Sequence, residues 1–160
     1  MVRKFLCAVF CATALAGLTS CDGTSRDTPA PRIEITWLGG PTMILEFNGF
    51  RILTDPAFGD GDKAFTMGDP NEMFDLGTGP TTKFHKRLTP FPELDPNSVD
   101  LVVLSHAHED HFDQTAQAAL APTIAMILPV ADTGKVAALG YENLDGLGWG
   151  AARTFKVGSG

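Results

Sequence analysis

Three of the chain's four histidines fall within six positions, at His106, His108 and His111, with Asp110 just ahead of the last. His106 and His108 are two residues apart, so in extended backbone their imidazoles project from the same side. Asp110 and His111 follow one tight turn later. Imidazoles and a carboxylate with no thiolate beside them suit Zn2+ first, with Mn2+ or Fe as further candidates. A solvated polar loop is the ordinary explanation for a lone histidine. Three histidines and an aspartate at these spacings favour a metal site instead.

Such donors must be aimed by rigid elements. Residues 99 to 104, VDLVVL, are almost wholly apolar, as a strand covered on both faces would be. Ser105 to Phe112 then forms the loop at its carboxyl end, where ligands bind in open α/β folds. Asp113 is placed to cap a helix through Gln114 to Leu120, ahead of Pro122. Ile124 to Leu128 reads as a second buried strand, Ala131 to Leu139 as a helix closed by Gly140, and Arg153 to Val157 as a last strand. This alternation predicts an α/β fold with a parallel sheet.

Upstream, residues 33 to 38, 42 to 47 and 50 to 54 read as a β-meander. Asn48-Gly49 is the pair that a two-residue hairpin with positive φ prefers. Residues 56 to 98 carry scattered Gly, Pro and Asp without a sustained period, which predicts a long excursion with room for a short helical turn. Within it, Lys83, His85, Lys86 and Arg87 form a basic patch that could hold a phosphate or lipid headgroup, although solvated loop charges are the simpler reading. Gly134-Lys135 lacks the flanking residues of a phosphate loop. Residues 146 to 150, GLGWG, read as turn and linker, with Trp149 packing on the core.

The first twenty residues stand apart from this fold. Arg3 and Lys4 precede an apolar run from Phe5 to Leu18, too short to cross a bilayer comfortably and in the charge order of a secretory signal. With those two residues removed, ten basic residues face 19 acidic ones, a formal charge of −9. A nucleic-acid partner is disfavoured on that ground. Cys7 and Cys11 lie inside the segment, so the remaining chain offers a metal only His and carboxylate ligands.

Leu18-Thr19-Ser20-Cys21 resembles the lipobox of bacterial lipoproteins. The resemblance implies a signal peptide over residues 1 to 20, lipidation of Cys21, and a flexible tether over residues 21 to 31. It further implies an exported, membrane-anchored protein on the periplasmic side of the inner membrane, given Asp22, or one otherwise periplasmic or secreted.

Residues 105 to 111, SHAHEDH, resemble the HxHxDH signature of the metallo-β-lactamase-fold hydrolases. ITWLGGPTMILEFNGFRILTDPAF is similar to that family's opening strands, and VDLVVLSHAHEDHFD to its metal-binding strand and loop. The form of these segments is most similar to the branch containing N-acyl phosphatidylethanolamine phospholipase D. The resemblance spans residues 32 to 160 and implies the N-terminal half of an αββα sandwich. It assigns His106 and His108 to a first metal and Asp110 and His111 to a second, with two zinc ions in the complete fold. Asp110 would also orient the metal-bound hydroxide that attacks a phosphodiester, ester or lactone bond in a small or lipid-derived substrate. Asp55 would orient the metal loop, and Glu109 would be a solvent-facing spacer. β-Lactams are disfavoured by the branch.

Two departures qualify this. Gly40 stands where many relatives carry a histidine, which bears on substrate contacts or loop shape. No histidine follows His111, whereas the family pattern continues with a further histidine, a bridging aspartate and a last histidine in a second half. A 160-residue product is therefore expected to have an incomplete metal site and an exposed apolar face. The competing function is then a catalytically silent, truncated remnant of the fold.

Overall fold

The computed structural model describes residues 32–68 and 82–157. The signal peptide, Cys21 and the tether lie outside these described residues, as does the middle of the long excursion. A six-stranded sheet organises the rest, its strands lying side by side in chain order. Strands β1 (Ile33–Gly39), β2 (Thr42–Phe47) and β3 (Phe50–Thr54) follow in sequence, each antiparallel to the next. Asn48 and Gly49 both have positive φ, 51° and 78°, as their hairpin turn requires. The remaining sheet strands β6 (Leu101–Val103), β7 (Met126–Pro129) and β8 (Leu144–Leu147) lie parallel to β3 and to one another. The parallel half is connected by helices α1 (Gln114–Ala119) and α2 (Thr133–Ala137), the latter preceded by a 3-10 turn over Val130–Asp132.

Pairing register separates the two faces of this sheet. Ile44, Leu53, Val102 and Met126 face the helices and join Phe112, Ala116 and Val136 in the core. The opposite face carries Ile35, Leu45, Ile52, Trp37 and Val103, none of which belongs to that core. On β1 this second face is open, with Ile33, Ile35 and Trp37 each more than 60% exposed. Such a stripe is larger than the scattered apolar residues normal on a monomer's surface.

Asp113 ties the histidine-rich segment to the loop after β3. Fully buried, it accepts from Ala116 N at 2.7 Å as the cap of α1 and from Gly59 N at 2.6 Å. In Asp113→Asn, either amide orientation sets an N–H against one of these two buried donors. The expected cost is about 2 kcal/mol, seen as a lower urea midpoint at unchanged slope. An unchanged midpoint would show that the second carboxylate oxygen contributes nothing.

Three expectations are corrected. The last strand is Leu144–Leu147, and residues 153 to 157 form none; Arg153 instead pairs with Asp145 of β8. Gly146 sits within β8 because a Cβ there would lie 2.7 Å from Thr133 Cγ2 and 3.1 Å from Val130 Cα, so it marks close approach of backbone. Trp149 is fully exposed, beyond the end of β8, and does not pack on the core.

The long excursion also contains a second, two-stranded antiparallel sheet, β4 (Phe65–Gly68) with β5 (Thr82–His85). Its basic patch does not act as one unit. The Arg87 guanidinium turns inward, donating to Leu38 O at 2.7 Å and Ala57 O at 2.8 Å while stacking over Phe91. Arg87 thus fastens the end of β1 to the loop after β3, rather than being a solvated charge.

Candidate metal centre

The sheet's carboxyl edge builds the site. Strand β6 delivers Leu104 and Ser105 to the edge, and the neighbouring β3 delivers Asp55 beside them. Asp55 takes a positive φ of 38°, which turns its side chain off the strand direction; aspartate tolerates this region better than most residues. Its backbone N donates to Val103 O at 3.0 Å, and its carbonyl accepts from the buried Thr42 hydroxyl at 2.7 Å. The carboxylate then faces the metal loop. Oδ1 accepts from Ser105 N at 2.7 Å and Oδ2 lies 3.2 Å from His111 Nδ1.

His108 carbonyl accepts from His111 N and Phe112 N, so the chain leaves extended backbone there and curls into a tight turn. That turn swings His111 back against His106, their ring centroids 4.1 Å apart. One donor atom from each of His106, Asp110 and His111 lies within 4.8 Å of the others. The convergence joins His106 to Asp110 and His111 and sets His108 to one side, exposed, its ring 4.6 Å from that of His106 and edge-on to it.

A cation fits this group on two observations. Asp110 Oδ1 is buried and has no hydrogen-bond partner among the described residues, a lone-pair donor that a metal would satisfy. His111 Nδ1 lies 3.2 Å from Asp55 Oδ2, while its Nε2 lies on the side of Asp110, 3.8 Å from Oδ2. That is the carboxylate-to-histidine support common around bound metals. Burial, followed by the neighbouring His111 and His108, lowers the His106 pKa, with Asp110 and Asp55 opposing. That direction favours the neutral imidazole that a metal requires.

Ser105 was legible only as part of the motif. Its hydroxyl lies 3.1 Å from both His106 Nδ1 and His111 Nδ1, bridging the two rings. Glu109 is half-buried and lies 3.4 Å from Lys135, so it is not a free spacer. Gly40 has a positive φ of 54° and open space about its Cα, and its carbonyl accepts from Trp37 Nε1. An open trough of about 630 Å3 runs from Ser105 and His106 between Leu104, Ile127, Pro129, Leu147 and Trp149.

The family described as a beta-lactamase superfamily domain matches residues 34–154. An uncharacterized protein of Mycobacterium tuberculosis is 37% identical over 84 residues, 52% of this chain and 19% of that protein. The mitochondrial N-acyl-phosphatidylethanolamine-hydrolyzing phospholipase D of Saccharomyces cerevisiae is 35% identical over 78 residues, 49% of this chain and 14% of its own length. The matched region thus spans less than a fifth of either relative. Among solved structures, an isothiocyanate hydrolase from Delia radicum gut bacteria superposes with a TM-score of 0.54 at 21% identity, over 71% of this chain and 41% of that one. A possible metal-dependent hydrolase from Veillonella parvula does so at 0.53 and 19%, over 72% and 41%. At such identity the superpositions speak for the fold. With the match running from β1 past β8, the chain belongs to the beta-lactamase superfamily domain family.

Proposed function

We propose that the chain carries part of the active site of a metal-dependent hydrolase, with Zn2+ as the first candidate and Mn2+ or Fe as alternatives. The observation that carries this reading is the convergence of His106, Asp110 and His111 around the unpartnered Asp110 Oδ1. A divalent ion held there would supply a Lewis acid and an activated water at neutral pH. Asp55 and Ser105 would keep the two imidazoles oriented, and Asp110 would accept a proton or hydrogen bond from the attacking water. His108, exposed beside His106, is available as a further ligand. The bond cleaved is a phosphodiester, ester or lactone in a small or lipid-derived substrate. The apolar trough opening beside His106 supports an apolar substituent on that substrate.

The test is metal content and turnover of the purified chain. After dialysis against zinc, it is expected to retain metal and to hydrolyse a nitrophenyl phosphodiester, ester or lactone, with activity lost to a chelator and restored by Zn2+ or Mn2+. Retention at background level would refute the metal reading. Metal retained without turnover would favour the second reading, a silent half-fold, which the open apolar face supports. The proposed export and membrane tether rest on Cys21. Label from a fatty-acid probe should appear on the wild type and vanish in Cys21→Ser; retained label would remove the anchor.

A further inference from the structure

Ala107, the residue between the first two histidines, is held at three points. Its methyl group is buried in the core beneath the sheet's carboxyl edge. Its N–H donates to Asp132 Oδ2 at 3.1 Å, and its carbonyl accepts from Lys135 Nζ. Neither group belongs to a strand ladder or helix, since the chain is irregular from Leu104 to His108. Asp132 closes the 3-10 turn after β7 and Lys135 lies in α2, so both come from a segment some 25 residues downstream. Lys135 also reaches Glu109 at 3.4 Å, spanning the loop on both sides of His108.

The Ala107 N–H belongs to the peptide plane shared with His106, and its carbonyl to the plane shared with His108. We propose that Asp132 and Lys135 are positioning residues of the metal centre, fixing both peptide planes that join His106 to His108 and hence the origin of each imidazole. Neither side chain is itself a ligand. A metal tolerates only tenths of an ångström in its donor positions, and irregular backbone supplies that precision only when its own polar groups are pinned. Burial of the Ala107 methyl sets the third point, which is why a small apolar residue stands between the histidines. The consequence for the metal rests on the reading under Proposed function; the clasp on Ala107 does not.

Two measurements on the purified chain separate these. In the metal-free protein, amide exchange at Ala107 is expected to be at least ~10-fold faster in Asp132→Ala than in wild type. Asp132→Asn keeps an oxygen acceptor and should restore slow exchange. In a titration with Co2+, read by its visible absorption, Asp132→Ala and Lys135→Met should bind ~10-fold more weakly, with shifted bands, and Asp132→Asn should recover most of the affinity. Wild-type exchange at Ala107 in Asp132→Ala would overturn the clasp. Faster exchange with cobalt affinity and bands unchanged in both Asp132→Ala and Lys135→Met would overturn the positioning role. A wild-type chain that takes up no cobalt would overturn the metal reading and the positioning role with it, while the exchange result still decides the clasp.

Discussion

Replacing Asp55 with alanine is expected to destabilise the fold by roughly 3 kcal/mol and to weaken divalent-metal binding ~10–100-fold. Three losses combine. Ser105 N, which donates to Oδ1 at 2.7 Å, is left without a partner in a part-buried position. His111 Nδ1 loses the carboxylate oxygen 3.2 Å away that holds the ring in place. Alanine must also occupy the positive φ of 38°, which costs an L side chain about 1 kcal/mol more than it costs aspartate. Asparagine separates these contributions. It accepts the backbone conformation readily, but in either orientation its amide sets an N–H against Ser105 N or against His111. Asp55→Asn should therefore recover the backbone share of stability and still bind metal poorly. Urea unfolding and zinc titration of the three proteins check this. Wild-type metal affinity in Asp55→Asn would mean that Asp55 serves the turn after β3 and not the metal loop.

What could be read from the sequence follows from how local each determinant is. The hairpin was legible because Asn48-Gly49 itself must adopt positive φ, and the α1 cap because Asp113 bonds only three residues ahead. The histidine cluster was legible because a single loop supplies its donors. Determinants that act at a distance left no such mark. Gly146 reads like a turn glycine, and only the packing of Val130 and Thr133 against it shows why a strand needs it. Arg87 reads like a surface charge, yet both its bonds go to backbone carbonyls 30 and 49 residues away. Asp132 and Lys135 meet the loop through the backbone of Ala107, which no pattern of side chains announces. The hairpin β4–β5 escaped notice for a related reason: its strands are four residues each and separated by thirteen.

The sharpest discrimination within the site is expected between His106 and His108. If the first metal equivalent sits among the three donors that converge, His106→Ala removes a ligand and His108→Ala does not. Structural zinc sites bind with about 10–16 kcal/mol over four ligands, so one ligand is worth on the order of 3 kcal/mol, or ~100-fold in affinity. His106→Ala should lose about that factor for the first equivalent, whereas His108→Ala should stay within ~10-fold of wild type and lose chiefly any second equivalent. The exposed, edge-on placement of His108 is the physical basis for the difference. The family resemblance divides the ligands otherwise, pairing His106 with His108, so calorimetric zinc titration of the two variants chooses between the arrangements. Equal losses of first-equivalent affinity would restore the pairing of His106 with His108. A loss confined to His106→Ala would mean that the tight turn at His108, by folding Asp110 and His111 back on His106, sets the order in which the metals bind.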